Sequence, residues 1–451
     1  MALTQTEKAS ILANLSFILV DTKGITKIAN HVVNNEITIA ELQNTGNFTP
    51  NDYQNVNNEI NRLKAEKAEN DQWQQAVAQN TIHAYQNYLT AYPAGKYTAQ
   101  ANTMIAGLQQ QQRQSQKQQY LEALRRDINA YNTTELNMYG ITYDDIVGAG
   151  IGLPDGIRGI WDHPGITFQL GTTPEAVPSG RTEIYFWGTP GSGKTCTLAA
   201  ILSTARAKGF FDPTICNGSL YMSQLSNLFD KGEVTTLPPS TAIDITQGLS
   251  FDLGDANAQA HPVTLIEISG EIFQCFTHVV NGQQIPDDGH LAAYNSLLGF
   301  LRSDNPKYHF FVIDVNNIGK DALGLTQMNY LHYAATFFST NQIFNKSTAG
   351  INILVTKSDL LGETPKERQM AAVCMLEERY LSFVNSLKKI ASTYNLIGRN
   401  DPLSVIPFTL GNVYLQNKCL FDSQTSDAVI RILQQNVAKT SVKRKSRWLN
   451  W

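Results

Sequence analysis

The stretch EIYFWGTPGSGKTCTLAA (Glu183–Ala200) sets an apolar run against a glycine-rich turn and then a helix-like segment. Its centre, GTPGSGKT (Gly188–Thr195), fits the pattern GxxxxGK[ST]. Glycines at these places let backbone N–H groups turn inward around a phosphate. A lysine at position 194 reaches the outer phosphates, and a threonine at 195 offers a hydroxyl to Mg²⁺. The helix that follows aims its N-terminal dipole at the anion. The flanks fit as well, with EIYFW reading as a strand and KTCTLAAILSTAR as a helix. Gly188, Thr189, Pro190, Gly191, Ser192, Gly193, Lys194, Thr195 and Cys196 are therefore expected to line a nucleotide's phosphates.

Outward from this loop, the bulk numbers frame the chain. Its 451 residues allow two or three domains, and 42% hydrophobic with 16% charged residues describe a globular chain. A net charge of −4 draws it neither to nucleic acid nor to an anionic membrane as a whole. The five cysteines (196, 216, 275, 374 and 419) are odd in number, scattered and without CxxC spacing, which argues against a disulfide framework or zinc site and for a reducing cytoplasm. No run approaches the roughly 20 apolar residues of a membrane span. SILANLSFILV (Ser10–Val20) lacks the basic head and small-residue cleavage site of a signal peptide and reads as a buried helix.

Helical spacing dominates the first 147 residues. In YQNYLTAYPAGKYTAQANTMIAGL (Tyr85–Leu108), Tyr85, Tyr88, Leu89 and Tyr92 share one helical face. Pro93 and Gly95 break the helix, and Ala101, Met104, Ile105 and Leu108 mark a second face. The segment resembles a helix–turn–helix unit of the tetratricopeptide kind, which implies protein partners; packing between helices explains the same residues. A glutamine-rich continuation (Gln109–Tyr120) is expected as exposed helix. TIAELQNTGNFTPNDY (Thr38–Tyr53) and NTTELNMYGITYDDI (Asn132–Ile146) look alike, each with Glu-Leu before Gly and then Thr and Asp suited to helix N-caps. Residues 148–182 are rich in Gly and Pro and read as a linker, before residues 183–440 alternate apolar runs with helical segments.

Two nucleotides compete for the loop. An ATPase needs an acidic residue at the end of a later strand, and YHFFVID offers Asp314. A GTPase needs other parts in a fixed order, and they stand in it: VTLIEISGE (Val263–Glu271) carries ExxG at Glu267–Gly270, and NILVTKSDL (Asn352–Leu360) carries TKSD at Thr356–Asp359. ExxG resembles the DxxG motif and TKSD the NKxD motif of the P-loop GTPase superfamily, of the translation-factor and Ras-like class. This resemblance covers about residues 183–440. It implies that Glu267 holds a Mg²⁺-bound water, that the Gly270 N–H senses the γ-phosphate, and that Thr356, Lys357 and Asp359 surround guanine. Asp359 would accept from guanine N1–H and its exocyclic amine, a donor pair adenine lacks. Thr409, after the strand in LSVIPFTLGN, would back the base. Glu271, at the position where many relatives carry a water-orienting Gln, is either that residue or a solvated loop carboxylate. A switch threonine for the metal is sought in TTLPPSTAIDI: Thr241 first, Thr236 second. Arg181 and Arg206 flank the loop as surface cations or a cis finger.

The expected architecture is an α/β P-loop domain with a mainly parallel sheet and an antiparallel edge hairpin, preceded by an all-α domain. The resemblance implies GTP/GDP and Mg²⁺ as ligands, hydrolysis, and a helical module for a protein partner or an oligomer. The alternatives are a nucleotide-holding scaffold with little turnover and an ATPase using Asp314. Residues 441–451 belong to a tail, KTSVKRKSRWLNW, whose cations and tryptophans suit weak contact with anionic membrane or nucleic acid, or simply a solvated end.

Overall fold

The computed structural model describes residues 4–15, 21–171, 176–215, 218–238, 246–394, 396 and 403–448, with side chains described as far as 439. The chain divides into two compact units, Met1–Tyr120 and Leu121–Trp451.

The first unit is helical: α1 (Gln5–Leu15), α2 (Thr22–Val33), α3 (Ile39–Gln43), α4 (Pro50–Gln79), α5 (Ile82–Ala91) and most of α6 (Thr98–Arg126). Ile28, Ala29, Leu42, Val56 and Ile60 make one small core. Trp73, Tyr85, Tyr88 and Ala101 make another. Tyr97 stacks on Trp73 with ring centroids 4.9 Å apart. Gly95 is required at the α5–α6 turn, since a Cβ there would lie 2.5 Å from Glu69 Oε1 and 2.6 Å from the Tyr88 hydroxyl. The Glu69 carboxylate accepts from that hydroxyl and from the Lys96 N–H, both at 2.6 Å. One helical hairpin is present where the spacing predicts it, and the glutamine-rich stretch is exposed helix. Met104 departs from its expected inward face: it is 39% exposed, because the packing of this face ends on Ala101, Ile105 and Leu108.

The second unit opens with three short helices, α7 (Thr133–Met138), α8 (Tyr143–Gly148) and α9 (Gly156–Gly159). There follow β1 (Thr182–Trp187), α10 (Lys194–Ala207), β2 (Phe211–Pro213), α11 (Ser219–Ser226), β3 (Val234–Thr236), β4 (Gln247–Gly254), β5 (Ala260–Glu267), α12 (Ile272–Val280), α13 (Asp288–Leu301) and β6 (Lys307–Asp314). The chain continues with α14 (Gln327–Thr340), β7 (Thr348–Thr356), a 3₁₀ turn (Ser358–Leu361), α15 (Pro365–Arg379), α16 (Leu381–Thr393), β8 (Ser404–Pro407), β9 (Gly411–Tyr414), β10 (Lys418–Phe421) and α17 (Gln424–Trp448). Seven strands form one sheet in the order β2-β4-β5-β1-β6-β7-β8. From β5 to β8 all pairings are parallel, whereas β4 runs antiparallel to β5 as the expected edge hairpin. Side chains alternate across β1: Tyr185 and Trp187 enter a core with α12, α14 and α16, and Ile184 and Phe186 enter one with α10 and α17. Both faces are covered, which is why EIYFW is buried at every position.

Two features were not foreseen. A small antiparallel sheet, β3-β10-β9, joins the spacer before the hairpin to the segment after β8. Residues read as linker also pack into this unit: Lys418 Nζ donates to the carbonyls of Ile160 at 2.7 Å and His163 at 3.0 Å. Upstream, the Asn129 side chain donates to the Val413 carbonyl at 3.1 Å. No helix among the described residues is long and apolar enough to cross a membrane.

Candidate functional site

The phosphate loop lies where β1, buried between two parallel neighbours, hands over to α10. Gly188 admits no side chain, since a Cβ would lie 2.6 Å from Ser192 Oγ and 2.7 Å from the Val312 carbonyl. Gly191 and Gly193 take φ of +72° and +86°, the left-handed region in which glycine is unstrained. Gly193 stands at the N-cap of α10. Ser192 Oγ is buried and has no hydrogen-bond partner.

Lys194 is 8% exposed, and its amine donates to the carbonyls of Gly188 at 2.6 Å and Thr189 at 3.0 Å. Burial pulls its pKa down to about 8, against the opposing pull of the Glu267 charge. Thr195 Oγ1 donates to Glu267 Oε1 at 2.6 Å. The loop threonine and the ExxG carboxylate are thus brought together from α10 and the end of β5. Glu267 is 1% exposed. Its Oε2 accepts from the Tyr221 hydroxyl at 2.5 Å. Burial, and next the Glu267 charge, push the Tyr221 phenol well above its ordinary range. Tyr221 lies on α11, inside the spacer after α10.

Gly270 sits against the loop itself, where a Cβ would come within 2.3 Å of the Pro190 nitrogen and 2.4 Å of the Thr189 carbonyl carbon. Any movement of the loop therefore meets the ExxG turn directly. Glu271 follows at the start of α12, partly exposed, with Oε2 3.9 Å from His290 Nε2. His290 Nδ1 is held by Asp287 at 2.8 Å.

The TKSD corner closes the other end. The Thr356 hydroxyl donates to the Ser192 carbonyl of the glycine-rich loop at 2.8 Å. Lys357 takes a φ of +54°. Its amine pairs with Asp314 Oδ2 at 2.7 Å, so Asp314 serves Lys357, and the acid on Thr195 is Glu267. Asp359 is exposed. It shares a cavity of about 380 Å³ with Lys231, Arg368, Thr409, Gly411 and Asp422. Asp359 and Thr409, distant in sequence, are thus on one wall system. Thr409 is itself fixed by Thr425, whose hydroxyl donates to its carbonyl at 2.5 Å.

The remaining candidates lie elsewhere. Thr241 falls outside the described residues. Thr236 is buried in β3 and receives the Lys418 amine at 3.0 Å, a structural role and not that of a switch ligand. Arg181 clamps the edge strands through the carbonyls of Val263 and Phe251, both at 2.7 Å. Arg206 holds the Ser226 carbonyl at 2.8 Å from the far end of α10. Cys196 is partly buried in the first turn of α10.

No family model matches the chain, and no curated protein matches it. Among solved structures it is similar to a nucleolar GTP-binding protein 1 from Plasmodium falciparum, at 14% identity and a TM-score of 0.26, over 61% of this chain and 97% of that one. It is also similar to the Ski7 GTPase-like domain of S. cerevisiae. For the form bound to GTP, identity is 16% and the TM-score 0.23, over 57% of this chain and 50% of that one. For the form bound to GDP and inorganic phosphate, identity is 16% and the TM-score 0.20, over 51% of this chain and 43% of that one.

Proposed function

We propose that the chain is a Mg²⁺-dependent GTP-binding and GTP-hydrolysing switch of the cytoplasm, with its helical first unit serving a protein partner. The observation that carries this reading is the Thr195–Glu267 pair at 2.6 Å beside Lys194, with Asp359 and Thr409 lining one cavity beyond the loop. Hard oxygen donors, one of them a carboxylate, are what Mg²⁺ takes from a protein when phosphate supplies the rest. Thr195 and Glu267 would hold the ion, which neutralises charge on the outer phosphates. Lys194 adds its charge on the same oxygens. Gly270, in contact with Pro190, passes loop position to the start of α12, and Asp359 selects guanine by its donor pair.

Competition binding tests this. Fluorescent GDP, loaded with Mg²⁺, is displaced by GTP, ATP or XTP in the wild type and in Asp359→Asn. Displacement by GTP with a shift toward XTP in the variant is expected. Equal displacement by ATP, with the variant behaving as wild type, overturns the guanine assignment in favour of an ATPase. A second reading, a nucleotide-holding scaffold with little turnover, holds if Glu271, whose side chain is 41% exposed, is only a solvated loop carboxylate. Single-turnover phosphate release separates the two.

A further inference from the structure

Residues 165–171 carry neither helix nor strand, yet they are tied down at close intervals. The Gln169 N–H donates to Gln224 Oε1 on α11 at 2.8 Å. Gly171 exchanges two hydrogen bonds with the Gln247 side chain, N–H to Oε1 at 3.1 Å and Nε2 to carbonyl at 3.0 Å. Ile166, Phe168 and Leu170 alternate inward onto the core that contains Tyr221. The Phe168 ring meets the Tyr221 ring edge-on, with centroids 5.1 Å apart at 80°. Just upstream, the His163 carbonyl is anchored on Lys418 at 3.0 Å.

Both downstream ties lead to one carboxylate. Gln247 stands opposite Glu267 in the β4–β5 register. Tyr221, gripped by Phe168, donates to Glu267 Oε2 and so leaves Oε1 turned to Thr195. A carboxylate offers about four lone-pair sites, so a donor fixed on one oxygen restricts where the other can point. The tyrosine commits one, and the strap holds the tyrosine.

We propose that Tyr221 is a positioning residue for the metal-side carboxylate Glu267, and that residues 165–171 form a strap that sets its grip. The metal limb of this rests on the function proposed above; the strap does not. Through Lys418 and β10, which also supplies Leu420 and Phe421 to the Asp359 cavity, the strap links the base end of the site to the ion end.

The test uses the full chain with Tyr221→Phe and Phe168→Ala. Retention of fluorescent GDP is titrated against Mg²⁺, then repeated in chelator. Tyr221→Phe is expected to raise the Mg²⁺ requirement about tenfold, and Phe168→Ala less, while chelator affinity stays at the wild-type value. An unchanged Mg²⁺ requirement, or an equal loss in chelator, overturns the proposal. Hydrogen exchange of the nucleotide-free chain provides an arm independent of any ligand. Both variants should speed exchange in residues 264–270 and leave β7 unchanged. If the wild type holds no GDP at any Mg²⁺, the function above fails, and this exchange result alone decides the strap: no acceleration overturns it.

Discussion

The two ends of the proposed nucleotide site are built differently. At the phosphate end the working groups are buried and engaged, with Lys194 on two carbonyls, Thr195 on Glu267 and Glu267 on Tyr221. At the base end Asp359 is exposed on a 3₁₀ turn, and Lys357, whose side chain is 49% exposed, leans back to Asp314. A buried, prearranged set loses little freedom when ligand arrives, whereas an exposed side chain must be ordered. Affinity should therefore reside at the phosphate end and discrimination between bases at the other.

Three measurements bear on that contrast. Lys194→Ala should weaken fluorescent GDP and fluorescent ADP alike, by more than about 100-fold, since a buried charge on the phosphates is removed. A loss confined to guanine would break the comparison. Asp359→Asn should cost about 100-fold for GTP in the displacement assay and leave the weak affinity for inorganic triphosphate as it was. Thr356→Val keeps the side-chain volume and removes the tether to Ser192; a loss of about tenfold for GDP is expected, with dissociation rate as the readout. Unchanged dissociation would show that the two ends are independent.

The smallest effect lies beneath the site. His309 is fully buried in β6, where its Nδ1 accepts the Trp187 N–H at 3.0 Å. Burial, and next the charge of Lys307, bring its pKa down to about 3. The ring is neutral in the fold, so below the ordinary histidine range the unfolded chain binds one proton more than the folded one. This contribution to stability is complete above about pH 6.5 and is lost as pH falls toward 3, with a slope of about 1.4 kcal/mol per unit. Urea melts from pH 7 to 4 should show a shallower decline for His309→Phe than for the wild type. Equal slopes would remove His309 from the account.

What could be read in advance follows from how far apart the partners lie. The phosphate loop is a run of eight residues whose shape depends on its own glycines, so GTPGSGKT announces itself. ExxG and TKSD work at strand ends, and a strand end is legible where an apolar run stops. Tyr221 was not legible, because nothing in SLYMSQLS distinguishes a core tyrosine from one that meets Glu267 across 46 positions. The Thr356 contact was not legible for a related reason, since the Ser192 carbonyl that its hydroxyl meets lies far away in sequence. The small sheet escaped because VTT and KCLF are too short to carry a period, and they pair across a long stretch of sequence. Glu183 inside EIYFW likewise looks misplaced until Tyr185 at 2.7 Å and Asn305 at 2.9 Å are seen to satisfy it.

The twin segments near Thr38 and Asn132 end in the same local shape. Each has a capping box, a short helix, a glycine at φ +68° or +67°, and then a second box opened by Thr49 or Thr142. Each stretch caps its own helix N-termini with its own side chains, and around Gly46 and Gly140 a Cβ would meet nothing within 4 Å. A turn whose flanking helix N-termini are capped locally leaves its glycine clear of packed neighbours. These two glycines are accordingly where the chain should accept a spliced-in tag, or new termini after circular permutation, without losing either flanking helix.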